Sequence, residues 1–282
     1  MHSDIEGGLN VNTLSKKKIV IAITIIVVSL CIFMGNLISF PNFIKTSLYP
    51  VAKRIERNRI IASVNYYKTR ETKNFIIRYK SQDKEISKLT AEIAERYYKD
   101  VCDLYEYYPE EKSLIIIYDS GKELLKNVGL DSESAPLGVY YSGTINILSP
   151  RLWIDNENDF ENIYEVKGPI VHEFTHLIVD QMTNGNYPLW LTEGLALYTE
   201  YITTGFEWKL NSDLDISIDM LNKDFYSIDQ KKSYRKSFEI VKSISEEWGF
   251  DKVVKILDNL GKGDTVNRSV RNILKVNLKD ID

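Results

Sequence analysis

The chain has 282 residues, 44% hydrophobic and 27% charged, with a formal net charge of −4. That length holds one or two domains with a full core, and the mildly acidic balance excludes the electrostatic case for a nucleic-acid partner. The only cysteines, Cys31 and Cys102, make neither a disulfide framework nor a CxxC metal site.

Residues 1–18 read as a short polar tail ending in Lys16, Lys17 and Lys18. Residues 19–40 are 22 positions without a charge, long enough to cross a hydrocarbon core of roughly 30 Å. A cleaved signal peptide is the rival reading, but the run exceeds a usual apolar core and no small-x-small site follows it. A signal anchor is therefore expected. Basic residues flank both ends, with Lys45, Lys53, Arg54, Arg57 and Arg59 after the run, so charge alone does not orient it. A short cytoplasmic N-terminus puts the rest of the chain on the extracytoplasmic side of a cell membrane.

Residues 41–70 are basic and irregular and read as a membrane-proximal stalk with some helix. A strand is expected at 74–79 and a long amphipathic helix at 83–107, where apolar residues recur at helical spacing. Residues 114–118 form a short apolar run, a buried strand, followed by a helix to about Asn127. Residues 138–148 read as one or two strands with a glycine-containing bend. From Glu161 the pattern is helical almost to the end. Strands and helices first, then helices alone, suggest an α+β chain with two lobes; helices near 215–224, 252–260 and 265–274 would form the small lobe over the cleft.

The chemistry concentrates at His172-Glu173-Phe174-Thr175-His176. The chain has three histidines, and two of them stand four apart, on one face of a helix. Glu173 is turned about 100° from His172, beside a shared metal rather than on it. This is the H-E-x-x-H arrangement of two zinc ligands and a general base. Gly168-Pro169 starts the helix, and Thr183-Asn184-Gly185-Asn186 stops it after about Met182. A second helix begins near Pro188 and carries Trp190-Leu191-Thr192-Glu193-Gly194-Leu195. Sixteen residues lie between His176 and Glu193, enough for a turn that returns the second helix antiparallel. Glu193 is a charge in an apolar helix, costly unless paired or metal-bound. Gly194 costs about 1 kcal/mol in a helix interior, which suggests a close neighbour. His172, His176 and Glu193 with Zn2+ make a hydrolytic site. Asp180 and Glu200 are both open as acceptors for the outer nitrogens of the histidines.

HEFTH followed by WLTEGLALY resembles the gluzincin zinc peptidases, specifically the peptidase-MA-like domain related to the M1 and thermolysin families. The resemblance spans roughly residues 70–275 and is strongest at the two metal motifs. It implies a zincin-like domain over 71–282: a small mixed sheet with an edge strand, active-site helices, then a helical C-terminal lobe. It also implies His172, His176 and Glu193 as zinc ligands and Glu173 as base. Tyr234-Arg235-Lys236-Ser237 is similar to the Tyr-x-Lys-Gly segment of M1 enzymes, whose tyrosine steadies the oxyanion, although Ser237 replaces the glycine. Tyr234 is the implied donor; Tyr198 and Tyr140 are the reserves. The edge-strand-like segment 138–143 lacks the acid with which M1 aminopeptidases hold a substrate amine, which favours an endopeptidase acting on a peptide or protein. Two other readings stay open: a catalytically inactive, membrane-anchored peptide-binding domain, and an intramembrane protease, which the charged residues around the motif disfavour.

Overall fold

The apolar run at 114–118 becomes the middle of a five-stranded sheet in the computed structural model, which describes residues 42–209 and 215–281. The strands are β1 (Lys68–Glu71), β2 (Phe75–Tyr79), β3 (Ser113–Tyr118), β4 (Gly138–Tyr141) and β5 (Thr144–Leu148), in the order β1-β2-β3-β5-β4. Neighbours β2, β3 and β5 run parallel, while β1 and β4 are antiparallel edges. β3 is buried along its whole length: Ile115 and Ile117 enter one apolar cluster, and Leu114, Ile116 and Tyr118 another. A parallel strand covered on both faces has no polar side to show, hence its unbroken apolar sequence.

Ten α-helices occur among the described residues: α1 (Asn42–Ser63), α2 (Lys84–Tyr105), α3 (Gly121–Val128), α4 (Phe160–Lys167), α5 (Ile170–Thr183), α6 (Leu189–Thr204), α7 (Ile218–Lys223), α8 (Gln230–Trp248), α9 (Phe250–Gly261) and α10 (Val266–Leu274). α2 and α5 cover one face of the sheet with Ile93, Val101, Phe174 and Ile178. α1 and α3 cover the other with Ile60, Val64 just past the helix end, Leu124 and Val128. The result is a mixed α+β fold: a small mixed sheet with a mostly helical remainder.

Two expectations change. The stretch 42–70, read as irregular with some helix, is a continuous 22-residue helix followed by β1. Its apolar residues point two ways, with Ile60 buried and Leu48, Val51 and Ile55 exposed, so no single core-facing stripe runs along the helix. β1 has the sequence Lys-Thr-Arg-Glu and is mostly exposed, leaving no apolar alternation to read. The two lobes are also joined: one apolar cluster runs from Phe75 and Ile115 through α5 and α6 to Val270 and Ile281. The C-terminal helices complete the sheet's core. The expected membrane span, residues 19–40, lies outside the described residues; among those described, no helix is long and apolar enough to cross a membrane.

The neighbour that Gly194 implies is α8. A Cβ on Gly194 would lie 2.3 Å from the carbonyl oxygen of Ser237 and 2.8 Å from Val241 Cγ2. α6 and α8 therefore meet main chain to side-chain-free surface. Ser237 does not spoil this contact, because its hydroxyl turns back to donate to the Ser233 carbonyl oxygen at 2.7 Å. Gly194→Ala is expected to force the helices apart and lower stability by about 1–3 kcal/mol, the usual cost of overpacking, as read by chemical denaturation.

Candidate metal centre

α5 sets His172 and His176 on one side, one turn apart. Their rings meet edge to face with centroids 4.7 Å apart. The helix ends at Asn184, whose left-handed φ of 51° closes the last turn on the Asp180 carbonyl. Gly185 continues the turn, and the Asn186 amide donates to the Leu260 and Asp264 carbonyl oxygens at 2.7 and 2.9 Å. The loop is thus pinned to α9, and α6 returns at a fixed height. It carries Glu193 Oε2 to 3.3 Å from His172 Nε2 and 3.6 Å from His176 Nε2. One ligand atom from each of the three residues lies within 4.8 Å of the others.

The outer nitrogens have separate partners. His176 Nδ1 lies 2.7 Å from Thr192 Oγ1, and His172 Nδ1 lies 3.3 Å from Glu200 Oε2. An Nδ1–H donated outwards leaves the Nε2 lone pair facing in, the usual arrangement around a metal-binding histidine. Of the two acids left open by the sequence, Glu200 faces the site and Asp180 does not. Thr192 was missed, for a threonine in an apolar helix carries no sequence signal.

The donor set fits a zinc ion. Glu193 Oε2 is buried and makes no hydrogen bond, an expensive state for a carboxylate oxygen unless a cation sits against it. The local charge agrees. Burial alone would raise the Glu193 pKa, but His176 and His172 outweigh it and hold the carboxyl well below its ordinary range. Burial likewise opposes charge on His172, yet Glu200 and Glu193 overcome it and raise its pKa well above normal. This pocket favours positive charge.

Glu173 is 5% exposed. Its Oε2 accepts the main-chain N–H of Tyr140, which brings edge strand β4 against α5. A Cβ at Gly138 would lie 2.9 Å from Glu173 Oε1, so only glycine lets the strand come this close. Burial is the main cause that raises the Glu173 pKa, with Glu193 adding to it against the two imidazoles. Tyr234 lies on α8 against Trp208 and Phe225. Burial and then the Glu193 carboxylate raise its pKa, which keeps the phenol protonated. The reserves are committed elsewhere: Tyr198 pairs with Ser245 Oγ at 2.7 Å, and the Tyr140 hydroxyl donates to Asp180 Oδ2 at 2.6 Å.

Asp180 anchors the frame instead. It is fully buried and accepts from Tyr49, Lys53, Tyr140 and Tyr187. Two of those donors belong to α1, so this carboxylate binds α1, β4 and α5 together.

A family model described as the peptidase MA superfamily matches residues 111–282. No curated protein matches the chain.

Glu193→Ala is expected to strip bound zinc on dialysis, and Glu200→Gln to weaken its affinity by about 10–100-fold, as for other partners of ligating histidines; elemental analysis and a competing chelator measure both. Asp180→Asn should leave zinc stoichiometry intact while costing roughly 3–5 kcal/mol, because Lys53 keeps its charge in a largely buried place without a counter-ion. Denaturant unfolding reads that loss.

Proposed function

The chain belongs to the peptidase MA superfamily, and from that premise we propose that it is a zinc-dependent endopeptidase held at a membrane by residues 19–40. The observation that carries the reading is the convergence of the buried Glu193 Oε2, which makes no hydrogen bond, with the Nε2 atoms of His172 and His176. His172, His176 and Glu193 would hold the zinc. The ion supplies a Lewis acid that lowers the pKa of water towards about 7 and polarises a carbonyl.

The remaining steps belong to the chain's own groups. Glu173 is the general base. Tyr140 N–H steadies its Oε2, leaving Oε1 to take a proton from the attacking water. Burial raises its affinity for that proton, and the same carboxyl then delivers it to the leaving amine. Tyr234, kept protonated, donates its O–H to the oxyanion that develops on the substrate carbonyl. An extended peptide would lie along β4, an edge strand of the sheet, through main-chain hydrogen bonds. No acid occurs at 138–143 to hold a free amine, which supports internal cleavage. The uncharged run at 19–40 supports a single-pass anchor with this domain on the extracytoplasmic side.

Glu173→Gln is expected to bind a full complement of zinc while losing turnover of a mixed peptide library; full activity in that variant removes the mechanism. Tyr234→Phe should lower kcat by roughly 10²–10³-fold, the effect of losing one oxyanion donor, with KM little changed. An intact, zinc-loaded chain that cleaves nothing in the library would instead favour the inactive peptide-binding domain.

A further inference from the structure

Helix α1 packs on the domain with one side only. Thr46 is buried, Tyr49 and Lys53 reach Asp180, and Ile60 enters the core beneath the sheet. The opposite side carries Ile44, Leu48, Val51 and Ile55, which are 36%, 62%, 60% and 67% exposed. Spacings of four, three and four residues put them in one row along the helix. No other helix among the described residues exposes more than one large apolar side chain. An apolar row of this length on a soluble surface marks a place where something else docks.

We propose that this face of α1 lies on the surface of an anionic lipid bilayer, as an interfacial helix that holds the peptidase domain against the membrane. The inference rests on the anchor reading of residues 19–40 and extends it. Two observations select the lipid. Pro41 alone separates the uncharged run from the first residue of α1, so an anchored chain delivers this helix to the interface. The row is also flanked by the exposed cations Lys45 and Arg54, and the helix's single acid, Glu56, is already held by Arg59 at 2.8 Å. Apolar side chains entering the acyl boundary with cations at their flanks are the pattern of an interfacial helix. Each cation near an anionic surface adds to the attraction.

A second copy of α1 is the competing occupant, because the row fits a and d positions of a heptad. In a parallel pair, however, Arg54 would occupy g and face Arg59 at e of the partner, a like-charge contact. The row also runs out at Asn58 after two heptads.

The test uses the full chain, reconstituted into vesicles of phosphatidylcholine alone or mixed with phosphatidylglycerol. Cys31→Ser and Cys102→Ser clear the background, and an environment-sensitive nitrobenzoxadiazole label is placed on Leu48→Cys or, as a control, Tyr226→Cys. The expected result is blue-shifted emission at position 48, with several-fold quenching by acyl-chain spin-labelled lipid. Phosphatidylglycerol should strengthen this, and position 226 should stay water-like. Water-like, unquenched emission at position 48 overturns the inference, and so does a Leu48→Cys dimer cross-linked in high yield with no quenching. Carbonate extraction reports the anchor separately: a chain that carbonate strips from the vesicles loses the anchor reading, while quenching before extraction still decides the helix.

Discussion

A carboxylate taken out of water needs hydrogen bonds or a cation, and among those on the helix pair α5–α6, Asp180 and Glu193 show opposite outcomes. Asp180 has its oxygens saturated by three phenols and a lysine. Glu193 is placed just as firmly, yet its Oε2 has no donor. The first is a closed structural node that asks for nothing more. The second stays open towards two imidazoles whose outer nitrogens already have partners. The difference in satisfaction, rather than burial alone, separates the frame from the site.

Asp180 and the base candidate Glu173 are joined through Tyr140. Its N–H reaches Glu173 and its hydroxyl reaches Asp180, seven residues further along α5, or roughly 10 Å of helix. Two-point attachment fixes the register of the edge strand against α5. Neither contact could do so alone, because a single hydrogen bond lets the strand pivot. α1 joins the same node through Tyr49 and Lys53. The helix that follows the uncharged segment in the sequence is therefore tied to the strand on which a peptide would lie. On the far side, contact between Gly194 and the main chain of α8 brings Tyr234 towards Glu193.

What the sequence made legible follows from how local each signal is. The H-E-x-x-H helix, its Asn184 stop and the return of α6 depend on nearest neighbours in the chain, and they stand within a residue or two of where the pattern put them. The glycine at 194 could be read as a close approach, though not as an approach by α8. Of α1 only some helix could be read, because its apolar residues divide between the core and solvent. β1 was invisible for the opposite reason: four polar residues pair at an edge and bury nothing. The shared core of sheet and C-terminal helices is a long-range fact, and composition that shifts from strands to helices cannot distinguish it from two lobes.

The histidine partners show where a little more geometry would have sufficed. Once α6 returns antiparallel to α5, early residues of α6 must face late residues of α5. Thr192 then meets His176, the later histidine, and an acid further along α6 must meet His172. Glu200 stands seven positions after Glu193, two turns on and therefore on the same side of the helix. Asp180 fails by the same rule. It lies one turn beyond His176 on α5, at the level where α6 has not yet begun, and there it faces α1 and β4 instead. The spacing between the third ligand and the next acid was the signal, and it becomes readable only when paired with the direction of the returning helix.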